Sequence, residues 1–92
     1  MAKMGGTPRA QAAHTLEQVR GAHGSAQAEA IARAVGARDL RWAAGEGIID
    51  QDDPTLIDAV NVDRVARRRL VEARAQLAAA EAALAAIDGS DA

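Results

Sequence analysis

Residues 63–87, DRVARRRLVEARAQLAAAEAALAAI, place apolar side chains at alternating intervals of four and three residues. The repeating positions are Ala66, Leu70, Ala73, Leu77, Ala80, Leu84 and Ile87. This spacing is the seam of three coiled-coil heptads, with leucine at position a and alanine or isoleucine at position d. It predicts one long, coiled-coil-like helix over residues 63–88, roughly 37 Å long at 1.5 Å per residue. The seam requires a second helix to cover it.

The composition indicates helices with a small core. Of 92 residues, 25 are alanine, and leucine, isoleucine and valine together supply 17. There is one tryptophan, and there is no phenylalanine or tyrosine. Alanine is the strongest helix former, but it buries little apolar area. The composition therefore predicts an all-α protein that needs a partner protein or further copies of itself.

The region before the long helix is interrupted by glycine and proline. Thr7-Pro8 is a typical helix start, and Gly21 and Gly24 predict an end near Arg20. A second short helix is expected over residues 26–35, and Asp53-Pro54 starts a third over residues 54–60. This third helix either continues straight into the long helix or breaks near residues 61–63. The predicted organisation is a tail over 1–6, two or three short helices with an acidic irregular connector over 7–62, the long helix over 63–88, and a tail over 89–92.

Charge along the chain is arranged in blocks. Residues 37–63 contain two arginines and seven acidic residues, a net charge of −5, whereas residues 64–74 carry +4. Four charged residues flank the leucines of the seam at position e: Arg67, Arg74, Glu81 and Asp88. In an antiparallel pair of two copies, Arg67 would meet Asp88 and Arg74 would meet Glu81, whereas a parallel pair would place arginines together.

The predicted partner interface comprises the seam and its flanking charges: Leu70, Ala73, Leu77, Ala80, Leu84, Ile87, Arg67, Arg74 and Glu81. If the long helix self-associates, we expect an antiparallel arrangement centred near Leu77. The alternative is a closed monomer in which the chain's own first helices cover the seam. Trp42 also has two interpretations: it anchors the core, or it contacts a partner.

No catalytic, cofactor-binding or metal-ligating residue is predicted. The chain has no cysteine and no glycine-rich phosphate loop, which excludes thiol chemistry. The acidic cluster at 50–58 departs from the spacing of a calcium loop, and His14 and His23 do not share a helix face. We therefore expect a protein that is not an enzyme. No apolar run approaches a membrane span, and the expected location is the cytoplasm or a virus particle assembled there.

Residues 40–49, LRWAAGEGII, resemble the recognition-helix end of MerR-type winged-helix regulators. Upstream, Ile31, Ala32 and Gly36 resemble the first helix of that helix-turn-helix, and the C-terminal helix resembles the dimerising end of the family. The resemblance implies DNA binding. Arg38, Arg41 and Arg64 are the residues that would contact DNA.

Two hypotheses for the function follow. The first is a non-enzymatic helical assembly or interaction module, such as a small structural component of a phage virion. The alternative is a small MerR-like or phage-type DNA-binding regulator. DNA binding that weakens steeply with salt would support the regulator, whereas an oligomer that depends on Leu77 would support the assembly module.

Overall fold

The structure, a computed structural model, describes residues 7–90 and contains two long helices. Helix α1 spans Pro8–Gly45 and helix α2 spans Pro54–Ser90. They pack side by side as an antiparallel hairpin with principal extents of 64 × 29 × 14 Å. Two ion pairs between the helices show the register: Arg9 Nε lies 2.6 Å from Asp88 Oδ1, and Arg69 Nη1 lies 3.3 Å from Glu29 Oε1. The all-α prediction is confirmed.

Both predicted helix starts at a proline are confirmed. The Thr7 hydroxyl accepts a hydrogen bond from the backbone N–H of Ala10 at 3.1 Å. At the start of α2, the Asp53 carboxylate accepts one from the N–H of Thr55 at 2.8 Å. These side chains satisfy N–H groups that have no partner within the helix. The following proline loses nothing, because its position needs no N–H.

Helix α1 ends in a Schellman motif that begins the connector over residues 46–53. The N–H of Ile48 donates to the carbonyl of Ala43 at 2.8 Å, and the N–H of Gly47 donates to that of Ala44 at 3.1 Å. Gly47 has φ of +76°, a left-handed conformation that glycine adopts without a steric penalty. The connector contains Glu46 and three aspartates, as the prediction of an acidic link requires.

The prediction of short helices in the first half is wrong. Helix α1 runs without a break through Gly21, Gly24 and Gly36. Each glycine costs about 1 kcal/mol relative to alanine inside a helix, but a break would interrupt a seam that crosses all three. Its positions recur every seven residues and are all at least half-buried: Leu16, His23, Ala30, Ala37 and Ala44. Packing along this seam outweighs the local preference of glycine.

The predicted start of the long helix at residue 63 is also wrong, and the alternative, in which the helix that begins at Pro54 continues straight on, is confirmed. Helix α2 begins nine residues earlier and passes through Asn61 and Asp63 without interruption. Leu56 and Asp63 precede Leu70 at intervals of seven, so the seam of α2 has five heptads rather than three. The helix also continues through Gly89 to Ser90, which were expected to form a tail. The predicted tails at 1–6 and 91–92 lie outside the described residues.

The interior between the helices consists mostly of alanine. Eight apolar residues are buried, and six of them are alanines. The two larger ones are Leu16 and Leu56, and no large side chain among the described residues is fully buried. Alanine at successive turns allows the two backbones to approach closely, but it removes little apolar area from water. The prediction of a thin core is confirmed for this hairpin.

Candidate interaction surface

The predicted seam packs against α1 of the same chain. Ala73 and Ala80 are buried, while Leu70, Leu77, Leu84 and Ile87 are half-buried. Helix α1 is the only other element of the hairpin, so it covers these residues. The antiparallel orientation predicted for two copies therefore occurs between two helices of one chain. A second chain could reach the buried alanines only if the hairpin opened.

The charges that flank the seam have intrachain partners or face solvent. Arg67 Nε lies 3.1 Å from the buried Asp63 carboxylate, one helical turn away, and Asp88 pairs with Arg9. Arg74 and Glu81 are exposed. The Arg67–Asp63 pair lies within α2 and does not join the helices. The Arg9–Asp88 pair does join them, but both side chains are exposed and such pairs contribute only a few tenths of a kcal/mol.

Large apolar side chains remain on the outside of the hairpin. Seven are exposed: Ile31, Val35, Trp42, Ile48, Ile57, Val65 and Val71. Trp42 is 63% exposed, so its interpretation as a core anchor is wrong. It lies one heptad after Val35, on the side of α1 turned away from α2. Of the 18 Leu, Ile, Val and Trp side chains in residues 7–90, seven are therefore exposed, while the other eleven are buried or half-buried.

Six arginines lie on one side of the hairpin, which we call the arginine face. They are Arg20, Arg38, Arg41, Arg64, Arg67 and Arg74. Arg41 and Arg64, from different helices, line one surface groove whose other residues are Gln51, Leu56, Ile57, Val60 and Asn61. Residues seven apart in a heptad helix repeat the same side: Arg20 lies three heptads before Arg41, and Arg67 and Arg74 lie one and two heptads after Val60. Arg38 lies three residues before Arg41 and is therefore its neighbour on the helix surface. The three predicted DNA contacts, Arg38, Arg41 and Arg64, are all on this face.

The other side of the hairpin carries both carboxylates and arginines. A second groove there is lined by Glu29, Arg33, Asn61, Val62, Val65, Ala66 and Arg69. Asp58 and Glu72 lie one heptad before and after Val65, on the same side. Three carboxylates thus accompany Arg69, which is already paired with Glu29. This side therefore has mixed charge, since Arg33 and Arg69 line the groove beside Glu29, whereas the arginine face has an excess of positive charge.

The helix-turn-helix that the MerR resemblance implies is not formed over residues 31–45. That stretch is the last part of α1 and contains no turn. Arg38 and Arg41 consequently lie on the side of one long rod, rather than on a short helix that projects from a turn. Arg38 Nε is 3.6 Å from Asp39 Oδ1, and Arg41 faces the groove it shares with Arg64. DNA binding stays a prediction.

Neither a metal centre nor a membrane span is found in the part of the chain that the structure describes, residues 7–90. No three His, Asp or Glu side chains there lie close enough together to hold a metal ion. Neither helix is long and apolar enough to cross a membrane. No family model, curated protein or solved structure matches this chain.

Proposed function

We propose that this chain is a non-enzymatic assembly module, a preformed helical hairpin that docks on a partner protein through its outer surface. One observation carries the proposal: of the 18 Leu, Ile, Val and Trp side chains in residues 7–90, seven are exposed, nine are half-buried and two are buried. A soluble monomer exposes single apolar residues routinely. A hairpin that leaves seven large apolar side chains in water is typical of a chain that completes its packing on another surface.

The hairpin geometry determines what such a partner meets. The seam of each helix already packs against the other helix, so the partner contacts the outer surface of the antiparallel hairpin, which is 64 Å long. Leu70, Leu77 and Leu84 are half-buried in the hairpin, and a third helix or a second hairpin would bury their exposed parts. This arrangement suits a small structural component of a multi-subunit particle, such as a phage virion.

Site-specific cross-linking in the cells that make the protein tests the proposal. A photo-reactive benzophenone amino acid replaces Val71, which is 63% exposed, or Trp42 on the other helix. The matched control places the same group at Gln76, a polar and exposed position on α2. We expect discrete covalent adducts from Val71 or Trp42 and none from Gln76. Equal labelling at all three positions, or no adduct at any, would refute the assembly role.

Light scattering of the purified chain across a range of concentrations identifies the partner's class. A mass of two or more chains that falls on dilution would assign the adduct to a second copy. A mass of one chain would assign it to a different protein. Leu77→Glu serves as a control for folding, because a charge in the seam should unfold the hairpin itself rather than only dissociate an oligomer.

A further inference from the structure

We propose that the arginine face receives an acidic amphipathic helix of a partner protein. The inference rests on the proposed function, since it names the face and the chemistry by which the assembly module docks. Its occupant is a helix with one apolar stripe bordered by glutamate or aspartate.

The arginine face has more positive charge than carboxylates to match it: within residues 7–90, two of its six arginines have an ion pair, Arg38 with Asp39 and Arg67 with Asp63. Between Arg20 and Arg41 on α1, and between Ile57 and Arg74 on α2, the positions on this side hold no acidic residue. Asp63 reaches Arg67 from the seam. No ion pair within 4 Å joins Arg20, Arg41, Arg64 or Arg74 to an acid within the described residues, 7–90. Glu17 and Glu81 lie at the edge of the arginine face that is farthest from the connector.

Arg41 and Arg64 come from different helices and line one groove. A helix lying in that groove would therefore pass both arginines. Carboxylates along such a helix suit them, because the planar guanidinium of arginine binds carboxylates in bidentate geometry.

Apolar side chains interrupt the arginines along the same side. Ile57 and Val71 lie one heptad before and after Arg64, and Ile31 lies one heptad before Arg38. Three of the seven exposed large apolar residues therefore belong to the arginine face, with the half-buried Val60 between the helices. A nucleic acid duplex would neutralise the arginines but would leave these aliphatic groups against phosphate. An acidic amphipathic helix would cover both kinds of group.

The length of the face fits a helix of about three heptads. From Arg20 to Arg41, and from Ile57 to Arg74, the face extends about 26–32 Å at 1.5 Å per residue. A helix in the groove between α1 and α2 would lay its apolar stripe over Val60 and Ile31, and its bordering carboxylates would reach arginines on both sides. The opposite side of the hairpin has Glu29, Asp58 and Glu72 beside Arg33 and Arg69, so it lacks the excess of positive charge that would attract the same helix.

The test uses a synthetic 21-residue peptide with leucine at positions a and d and glutamate at e and g. Glutamate at every e and g position keeps the peptide from pairing with itself. One control peptide has lysine in place of each glutamate, and another has the acidic composition in scrambled order. Binding to the full chain is measured by fluorescence anisotropy from 50 to 400 mM NaCl. A 20-base-pair DNA duplex is measured alongside.

Two triple variants with the same change of charge separate the arginine face from general electrostatics. Arg38→Gln/Arg41→Gln/Arg64→Gln removes three charges from the face. The matched control, Arg33→Gln/Arg68→Gln/Arg69→Gln, removes three arginines elsewhere on the two helices. A third variant, Ile31→Gln/Val71→Gln, removes apolar contacts from the face. Circular dichroism at 222 nm shows that each variant is folded, since all of these side chains are exposed.

We expect the acidic peptide to bind at least tenfold more tightly than either control peptide, and its affinity to fall with salt. The arginine-face triple should weaken it about tenfold, since each exposed charge contact contributes about 0.5 kcal/mol. The apolar variant should weaken it severalfold, and the matched control less than threefold. Equal binding of the lysine peptide, or equal loss in the matched control, would overturn the proposal.

DNA binding distinguishes the remaining alternative. If the duplex binds more tightly than the acidic peptide, and the arginine-face triple weakens it while Ile31→Gln/Val71→Gln does not, the face is a nucleic acid site and the proposal falls. The cross-linking result separates this failure from that of the assembly role. An adduct at Val71 or Trp42 without peptide binding would leave the assembly module standing and would reject only the acidic helix as its partner.

Discussion

Replacing Gly21, Gly24 and Gly36 by alanine should raise the free energy of unfolding of the hairpin by about 2.5–3 kcal/mol. All three glycines lie inside α1, none has positive φ, and a Cβ added at any of them meets no atom within 4 Å. Alanine is therefore accommodated without strain. It is favoured over glycine by about 0.8–1.0 kcal/mol at each position, because the unfolded chain loses less conformational entropy on folding.

The sign of this effect separates two descriptions of the same sequence. If Gly21 and Gly36 ended short helices in a left-handed conformation, as the sequence alone predicts, alanine would cost about 1–2 kcal/mol at each position. Gly47, which has φ of +76°, supplies the internal control. Gly47→Ala should lower the stability by that amount, while the three substitutions in α1 raise it.

Thermal and urea unfolding followed by circular dichroism at 222 nm measures both effects. A gain of about 2.5–3 kcal/mol corresponds to a rise in Tm of roughly 10–24 °C for a domain of this size. Unfolding should remain a single transition. A triple variant with an unchanged or lower Tm would refute the continuous helix α1 and would restore the interpretation of separate short helices.

Three other substitutions probe the seam and the start of α2, each by the urea midpoint of the purified chain. Asp63→Leu should stabilise the hairpin by about 1–2 kcal/mol, because Asp63 is only 4% exposed at a seam position and its partner Arg67 stays hydrated without it. A loss of stability would show that the carboxylate determines the register. Ala37→Leu should destabilise the hairpin by about 1–3 kcal/mol, because Ala37 is 0% exposed and a larger side chain there forces the helices apart. The control Ala78→Leu, at an exposed position, should change the urea midpoint little. Asp53→Ala should cost about 1 kcal/mol, since it removes the acceptor for the N–H of Thr55, and no change would mean that this cap contributes nothing.

The interaction surface could be predicted only in part from the sequence. The need for a partner followed from the scarcity of large side chains, and that scarcity is visible in the composition. The position of the surface was not predictable in the same way. Leu70 and Leu77 have the strongest pattern in the chain, yet they pack against α1. Trp42 and Val71 belong to no heptad seam, so the sequence does not mark them as part of an interface. They are exposed because the seam of each helix faces the other helix and turns the opposite side outward.

Spacing within one helix and chemistry within one turn are local properties, and the sequence alone determined them. The all-α class, the phase of the seam around Leu77, and the helix starts at Thr7-Pro8 and Asp53-Pro54 all belong to this group. The tertiary structure decided whether α1 continues through its glycines, because the energy that compensates for them comes from packing against a helix about 40 residues away. It also decided that Arg41 and Arg64 share a groove, since only the antiparallel register brings them together.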